Sequence, residues 1–209
     1  MIASALLVVV SVVVAYLAGS FPTSFLLARA LKGVDIRQVG SGNAGATNVL
    51  RTVGRWPAAL TLAVDMLKGY LVVAVVARFL YSFGIDLVYD FYRGLMGLTV
   101  VCGHIWSLFL NFKGGKGVAT TLGVGLGITP IALAPTLILW VAIFAVSSYV
   151  SLASIVSLTL FPLAACFTGY GFYTVIFAAA ICGISIYKHK DNVKRLLKGE
   201  ENKTRIFKK

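Results

Sequence analysis

Long apolar runs leave this chain little choice of architecture. Seven of them, at residues 2–30, 57–80, 94–110, 117–129, 130–147, 155–167 and 172–187, are set off by polar connections or tight turns. A helical crossing of the bilayer asks for about 20 predominantly apolar residues. A chain that is 59% hydrophobic over 209 residues is also too poor in polar surface for a soluble domain. The runs are continuous and do not alternate with period two, which argues against a β-barrel. The chain reads as an all-α integral membrane protein of about seven transmembrane helices, one of them short. A single domain covers residues 1–209, and residues 188–209 form a basic tail.

Charge orients the bundle. The net charge of +12 does not read as a nucleic-acid signal, because Lys and Arg gather in alternate connections and in the tail. The segments after the first, third and fifth runs hold almost all of them; the other side has only Arg78 and Arg93, near helix ends. The positive-inside rule then puts the N-terminus outside and the tail on the cytoplasmic side. The first run has no Lys or Arg before Arg29 and is longer than a signal-peptide core, so it reads as a retained helix kinked at Pro22. Cys102, Cys166 and Cys182 lie in apolar runs without CxxC spacing and read as packing residues. No metal or cofactor is expected.

The most polar island is G-S-G-N-A-G-A-T-N-V-L-R at residues 40–51. Gly40, Gly42 and Gly45 allow tight turns, Ser41, Asn43, Thr47 and Asn48 supply donors, and Arg51 supplies a fork suited to phosphate. Nothing in the segment is expected to build a core; its composition suits an anion site. It spells G-x-G-x-x-G, but that fingerprint works between a strand and a helix, and here a membrane-length helix precedes it. The second island, F-K-G-G-K-G at residues 112–117, lacks the Ser or Thr that a Walker A loop needs after its lysine. Lys113, Gly114, Gly115 and Lys116 instead lead into the short run, whose helix N-terminus and two lysines make a second anion site.

Asp65 and Lys68, three residues apart in the second run, read either as a mutually satisfied pair or as a functional site. His104 in the third run reads as a polar contact between helices. On the predicted cytoplasmic face the two islands join Ser151, His189 and Asn192, a set rich in donors and cations and poor in acids. No H-x-x-x-x-D arrangement follows His104 or His189, and no Ser–His–acid order or G-x-S-x-G elbow occurs. Any chemistry must rest on positioning and electrostatic stabilisation. A small anion transporter accounts for Asp65, Lys68 and the short helix, although no inverted repeat relates the halves. A scaffold subunit accounts for hydrophobicity but not for the glycine-asparagine loop.

With residues 40–51, Gly103-His104, F-K-G-G-K-G-V-A-T at 112–120, Y-V-S-L-A-S at 149–154 and K-H-K-D-N from Lys188, the chain resembles the bacterial acyl-phosphate:glycerol-3-phosphate acyltransferase family, the PlsY family. The resemblance covers nearly the whole chain. It implies a seven-helix, multi-pass enzyme of the bacterial inner membrane, its active site facing the cytoplasm, that moves an acyl group from acyl phosphate to the sn-1 hydroxyl of glycerol 3-phosphate. The products would be lysophosphatidic acid and phosphate, in the first step of phospholipid synthesis. Ser41, Arg51, Lys116, His189 and Asn192 match catalytic positions. Gly40, Gly42, Asn43, Gly45, Thr47, Asn48, Lys113, Gly114, Gly115 and Ser151 match positions that bind phosphate or glycerol phosphate. The acyl chain would lie in a groove open to membrane lipid, with glycerol phosphate arriving from the cytosol. Oligomeric state and chain-length preference are left open.

Overall fold

In the computed structural model, residues 1–204 are described and are helical throughout apart from turns and loops. The last five residues of the expected tail, 205–209, lie outside the described part. Among the described residues, five helical spans are long and apolar enough to cross a membrane, and a sixth counts if the bent pair Phe172–Tyr187 and Lys190–Leu197 is one crossing. The eleven-residue helix Val118–Ile128 is too short by that measure, as its sequence predicts. The chain is a multi-pass helical membrane protein, divided into two compact units: Met1–Ile128, and the part from Thr129 onward.

The first unit begins with α1 (Ile2–Ser20) and α2 (Thr23–Lys32). A kinked helix is the expectation here; the structure has a break. Pro22 has no N–H to give and pushes Phe21 into an extended conformation (φ −53°, ψ 120°). Carbonyls freed inside a membrane need donors. The Ser107 hydroxyl donates to the Ser20 carbonyl at 2.6 Å, and the Lys68 ammonium donates to the Phe21 carbonyl at 3.2 Å. α3 (Ala46–Thr52) lies within the expected polar connection, and α4 (Arg55–Leu71) starts two residues before Pro57.

α4 runs through a π-helical turn, Val72–Val76, into α5 (Ala77–Tyr81). α6 (Tyr89–Ile105) and a 3-10 turn, Leu108–Leu110, complete the third span, and α7 (Val118–Ile128) follows. Arg93, on α6, ties these irregular parts together. Its guanidinium donates to the Val73 carbonyl in the π turn and to the Gly127 carbonyl at the end of α7.

Close packing explains several glycines. A Cβ on Gly103 would overlap the Tyr16 carbonyl, and one on Gly19 would overlap the Val100 carbonyl, so α1 and α6 meet backbone to backbone. Gly123 on α7 stands in the same relation to the Met66 carbonyl on α4, and Gly69 to the Thr120 carbonyl. Small residues allow this approach where lipid supplies no hydrophobic driving force between helices.

In the second unit α8 (Pro130–Ser147) and α9 (Val150–Phe167) form a hairpin. Ser148 closes α8 in a left-handed conformation (φ 61°), and the Trp140 indole donates to the Ser154 hydroxyl at 3.1 Å. Residues 148–154 are therefore not the expected polar bend: Ser151 sits in the first turn of α9. α10 (Phe172–Tyr187) packs on α9 and bends by 57° into α11 (Lys190–Leu197).

Replacing Gly123 by Val tests the backbone contact. The added carbons must push Met66 and α4 away, an overpacking cost of about 1–3 kcal/mol. The measurement is the melting temperature in detergent, expected to fall; a Val at the open position Gly183, where a Cβ meets nothing, is expected to leave it unchanged.

Candidate active site

The glycine-asparagine island is held by its own hydrogen bonds. Asn48, 1% exposed, accepts from the Ser41 amide at 2.9 Å and donates to the Ile36 and Val39 carbonyls at 3.0 and 2.9 Å. Gly40 turns with φ 61°, and a Cβ there would run into the Asn48 carboxamide. The expectation that this segment builds no core needs correcting. Ala44 and Val49 are buried with Ala28, Ile36, Ala58 and Leu110 in an apolar cluster beneath the loop. Ser41 and Arg51 remain exposed, while Asn43 and Thr47 are half-buried. Thr47 and Arg51, four residues apart on α3, share a face.

The second island packs on the end of α6. Asn111 and Phe112 both take positive φ (51° and 60°). The Gly114 amide then donates to the Ile105 carbonyl at 3.0 Å and the Gly115 amide to the His104 carbonyl at 3.1 Å. A Cβ on Gly115 would overlap the His104 ring and come within 3.0 Å of the Ala44 carbonyl. The two glycines are therefore required by close approach to α6, and the two islands touch through Gly115 and Ala44. Arg37 adds a second link: it donates to the Leu110 carbonyl at 2.9 Å and pairs with Asp35 at 2.7 Å. The Arg37 hydrogen bonds hold the Asp35 carboxyl below its ordinary range.

Below this junction lies a buried charge cluster. Lys68 Nζ is 2.7 Å from Asp65 Oδ1, and His104 Nδ1 approaches the same oxygen at 3.5 Å. The satisfied-pair reading of Asp65 and Lys68 is the one this geometry supports, with His104 as a third member. Asp65 and His104 line a small pocket with Ser20, Thr23, Ala44 and Gly115.

In the second unit, Ser151 and Asn192 are both buried and donate to one carboxylate oxygen. Ser151 Oγ is 2.9 Å and Asn192 Nδ2 is 2.8 Å from Glu201 Oε1, while Arg195 Nε reaches Oε2 at 2.8 Å. Burial alone would push the Glu201 carboxyl up, but the hydrogen bonds from Arg195, Asn192 and Ser151 outweigh it and hold the group below its ordinary value. His189, also buried, sets Nδ1 2.8 Å from the Ser185 carbonyl. That carbonyl requires a proton on Nδ1, so neutral His189 carries its lone pair on Nε2.

Known proteins with this sequence and fold decide the family. Residues 9–199 match the family model described as glycerol-3-phosphate acyltransferase. The chain is 43% identical over 200 residues to a glycerol-3-phosphate acyltransferase of Desulforudis audaxviator, covering 96% of this chain and 97% of that one. It is 44% identical over 190 residues to the Geobacter sulfurreducens enzyme, covering 91% and 94%. The chain belongs to the glycerol-3-phosphate acyltransferase family. Two crystal structures of PlsY, an integral membrane glycerol 3-phosphate acyltransferase, have the same fold. The glycerol 3-phosphate form superposes with a TM-score of 0.86 at 39% identity, covering 95% of this chain and 96% of that one. The lysophosphatidic acid form gives 0.83 at 38%, covering 95% of each.

For this acyltransferase, the structure groups the expected residues by unit. Gly40, Ser41, Gly42, Asn43 and Gly45 share the first loop, with Thr47 and Arg51 on α3 directly after it, and the loop of Lys113 and Lys116 packs against that first loop. Ser151 and Asn192 meet at Glu201, and His189 stands three residues before Asn192. Asn48, Gly114 and Gly115 make the hydrogen bonds that shape the two loops.

Glu201 was missed by sequence reasoning. The signal was there, since Gly199-Glu200-Glu201 puts acids in an otherwise basic tail, and buried Ser and Asn donors need an acceptor. The folded Glu201 carboxyl lies below its unfolded value, so its contribution to stability is complete above the unfolded value, about 4.3, and is lost as pH falls through the folded one. Thr204 donates its amide to the Ser148 carbonyl, so hydrogen exchange there reads the clamp. Corrected for intrinsic rate, protection is expected to hold from about pH 8 to pH 5 and to fall below about pH 4. Glu201→Ala is expected to lower it at every pH, by about 1–3 kcal/mol for buried donors left unpaired.

Proposed function

We propose that this acyltransferase moves an acyl group from acyl phosphate to the sn-1 hydroxyl of glycerol 3-phosphate, releasing phosphate and lysophosphatidic acid. The observation that carries the reading is near-full-length similarity to PlsY crystallised in glycerol 3-phosphate and lysophosphatidic acid forms. In this reading the whole chain is one catalytic domain. Seven membrane segments, α7 included, run from an outside N-terminus to a cytoplasmic tail, as the distribution of Lys and Arg favours.

The hydroxyl oxygen attacks the acyl carbonyl carbon, the carbon–oxygen bond to phosphate breaks, and the hydroxyl proton leaves with the departing group. Phosphate is a good leaving group, so the protein's task is to stabilise charge and position reactants. Ser41, Arg51 and Lys116 take the phosphate of acyl phosphate, with Gly40, Gly42, Asn43, Gly45 and Thr47 shaping or lining that loop and Lys113 adding field. Ser151, His189 and Asn192 take glycerol phosphate. Because the Ser151 proton is committed to Glu201, its oxygen accepts, which suits a glycerol hydroxyl better than a phosphate oxygen.

A phosphate oxygen of the substrate accepts the hydroxyl proton; His189 Nε2 is the rival acceptor. Phosphate release by purified protein given acyl phosphate is expected to require glycerol 3-phosphate. Lys116→Ala is expected to lower it about 10²–10³-fold, the usual effect of losing one charge-stabilising donor. A His189→Gln variant that keeps kcat nearly unchanged across neutral pH supports the substrate as base. A fall of about 10²–10⁴-fold with loss of the pH profile transfers that role to His189.

A further inference from the structure

Among the described residues α11 leaves most of its outward face exposed, and its position says what meets that face. α10 is 16 residues long, about 24 Å at helical rise, so it nearly spans a hydrocarbon core of about 30 Å. Only Lys188 and His189 separate it from α11, which departs at 57°. The eight residues K-D-N-V-K-R-L-L include four charges, too many for the hydrocarbon. The helix must run near the membrane surface.

Its faces are sorted accordingly. At 3.6 residues per turn, Val193, Leu197, Lys190, Lys194 and Lys198 fall within an arc of about 140°, and all five are exposed, Leu197 at 84%. Buried Asn192 lies on the opposite side, and Asp191 stands at the margin of the arc. Lys190 sits over the ring of Tyr187, 5.1 Å from its centroid, and that tyrosine is itself exposed. An apolar strip bordered along one side by lysines and next to an interfacial aromatic suits a helix that sinks its apolar residues to the acyl boundary and meets headgroups with its cations.

We propose that α11 is an interfacial helix whose Lys190, Lys194 and Lys198 bind anionic phospholipid headgroups of the membrane that holds the protein. Since Asn192 is on the other side of the same helix, the charge of that leaflet helps to set where Asn192 sits. The test does not depend on the chemistry assigned to Asn192.

Full-length protein carrying Leu197→Cys with a nitroxide, in a Cys166→Ala background because Cys166 is exposed, is placed in vesicles. One set is phosphatidylcholine and the other contains one-third phosphatidylglycerol; retained acyltransferase activity reports the fold. Collisions with oxygen and with a polar nickel chelate give the depth. The expected result is a probe about 5–10 Å below the phosphates in the anionic vesicles. The triple change Lys190→Gln, Lys194→Gln, Lys198→Gln, or high salt, is expected to return it toward water. A probe equally deep in both lipids and indifferent to the triple change overturns the headgroup assignment. A water-exposed probe in anionic vesicles overturns membrane docking altogether and points to a soluble acidic partner.

Discussion

A carbonyl or amide inside a membrane must find its partner within the protein, and this requirement governs the irregular parts of the first unit. Pro22 opens the first span, and the freed carbonyls go to Ser107 and Lys68. The π turn in the second span leaves the Val73 carbonyl to Arg93, which also takes Gly127 at the end of α7. Lys68 is then carried by Asp65, and Asp65 in turn by its neighbourhood with His104. Each break thus recruits a polar side chain from elsewhere in the unit, and Lys68 brings its counter-charge, Asp65. The buried cluster is a consequence of the breaks and also the floor on which the two polar loops rest.

The loops themselves follow a related rule. Glycine-rich loops are often described as one device, yet here the reason for a glycine differs from place to place. Gly40 supplies a positive φ beside the Asn48 side chain; Gly114 and Gly115 let a chain lie on the end of α6. In the second case the amides are consumed by carbonyls of α6. Under the proposed function, phosphate is drawn by the side chains of Arg51, Lys113 and Lys116 more than by those two backbone groups.

The helical membrane class and the short α7 were legible because apolar run length is a local property. So were the two polar islands, whose composition contrasts with everything around them. What stayed hidden is nonlocal. Asn48 looks like its neighbours Asn43 and Thr47 in the sequence, and only the fold buries it against Ile36 and Val39. Val49 and Ala44 look like spacers in a polar loop, but Leu110 and Ala28 come from elsewhere to make them a core. Glu201 is separated from Ser151 by 50 residues, and no periodicity connects them. A kink and a break at Pro22 have the same sequence; which one forms depends on whether Lys68 and Ser107 stand ready to take the freed carbonyls.

The acids bear on the proton transfer. Asp35 is bound to Arg37, Asp65 to Lys68 and Glu201 to Arg195. Outside the membrane spans, the hydrogen bonds at Asp35 and Glu201 favour the charged form and make each carboxylate a poorer base. Glu201 is further engaged as the acceptor of two residues expected to touch glycerol phosphate. A carboxylate so committed orients its donors; taking a proton from the substrate would release Ser151, Asn192 and Arg195 at the moment they are needed. In the proposed reading the acceptors are the substrate's own phosphate and His189 Nε2. The phosphate has the advantage of timing, because its negative charge grows as the bond to the acyl carbon breaks, when the hydroxyl proton must leave. His189 has the fixed tautomer that the Ser185 carbonyl imposes, which serves equally to aim a donor, once protonated, at glycerol phosphate. Growing charge on the leaving group and a cationic site therefore favour the same proton path.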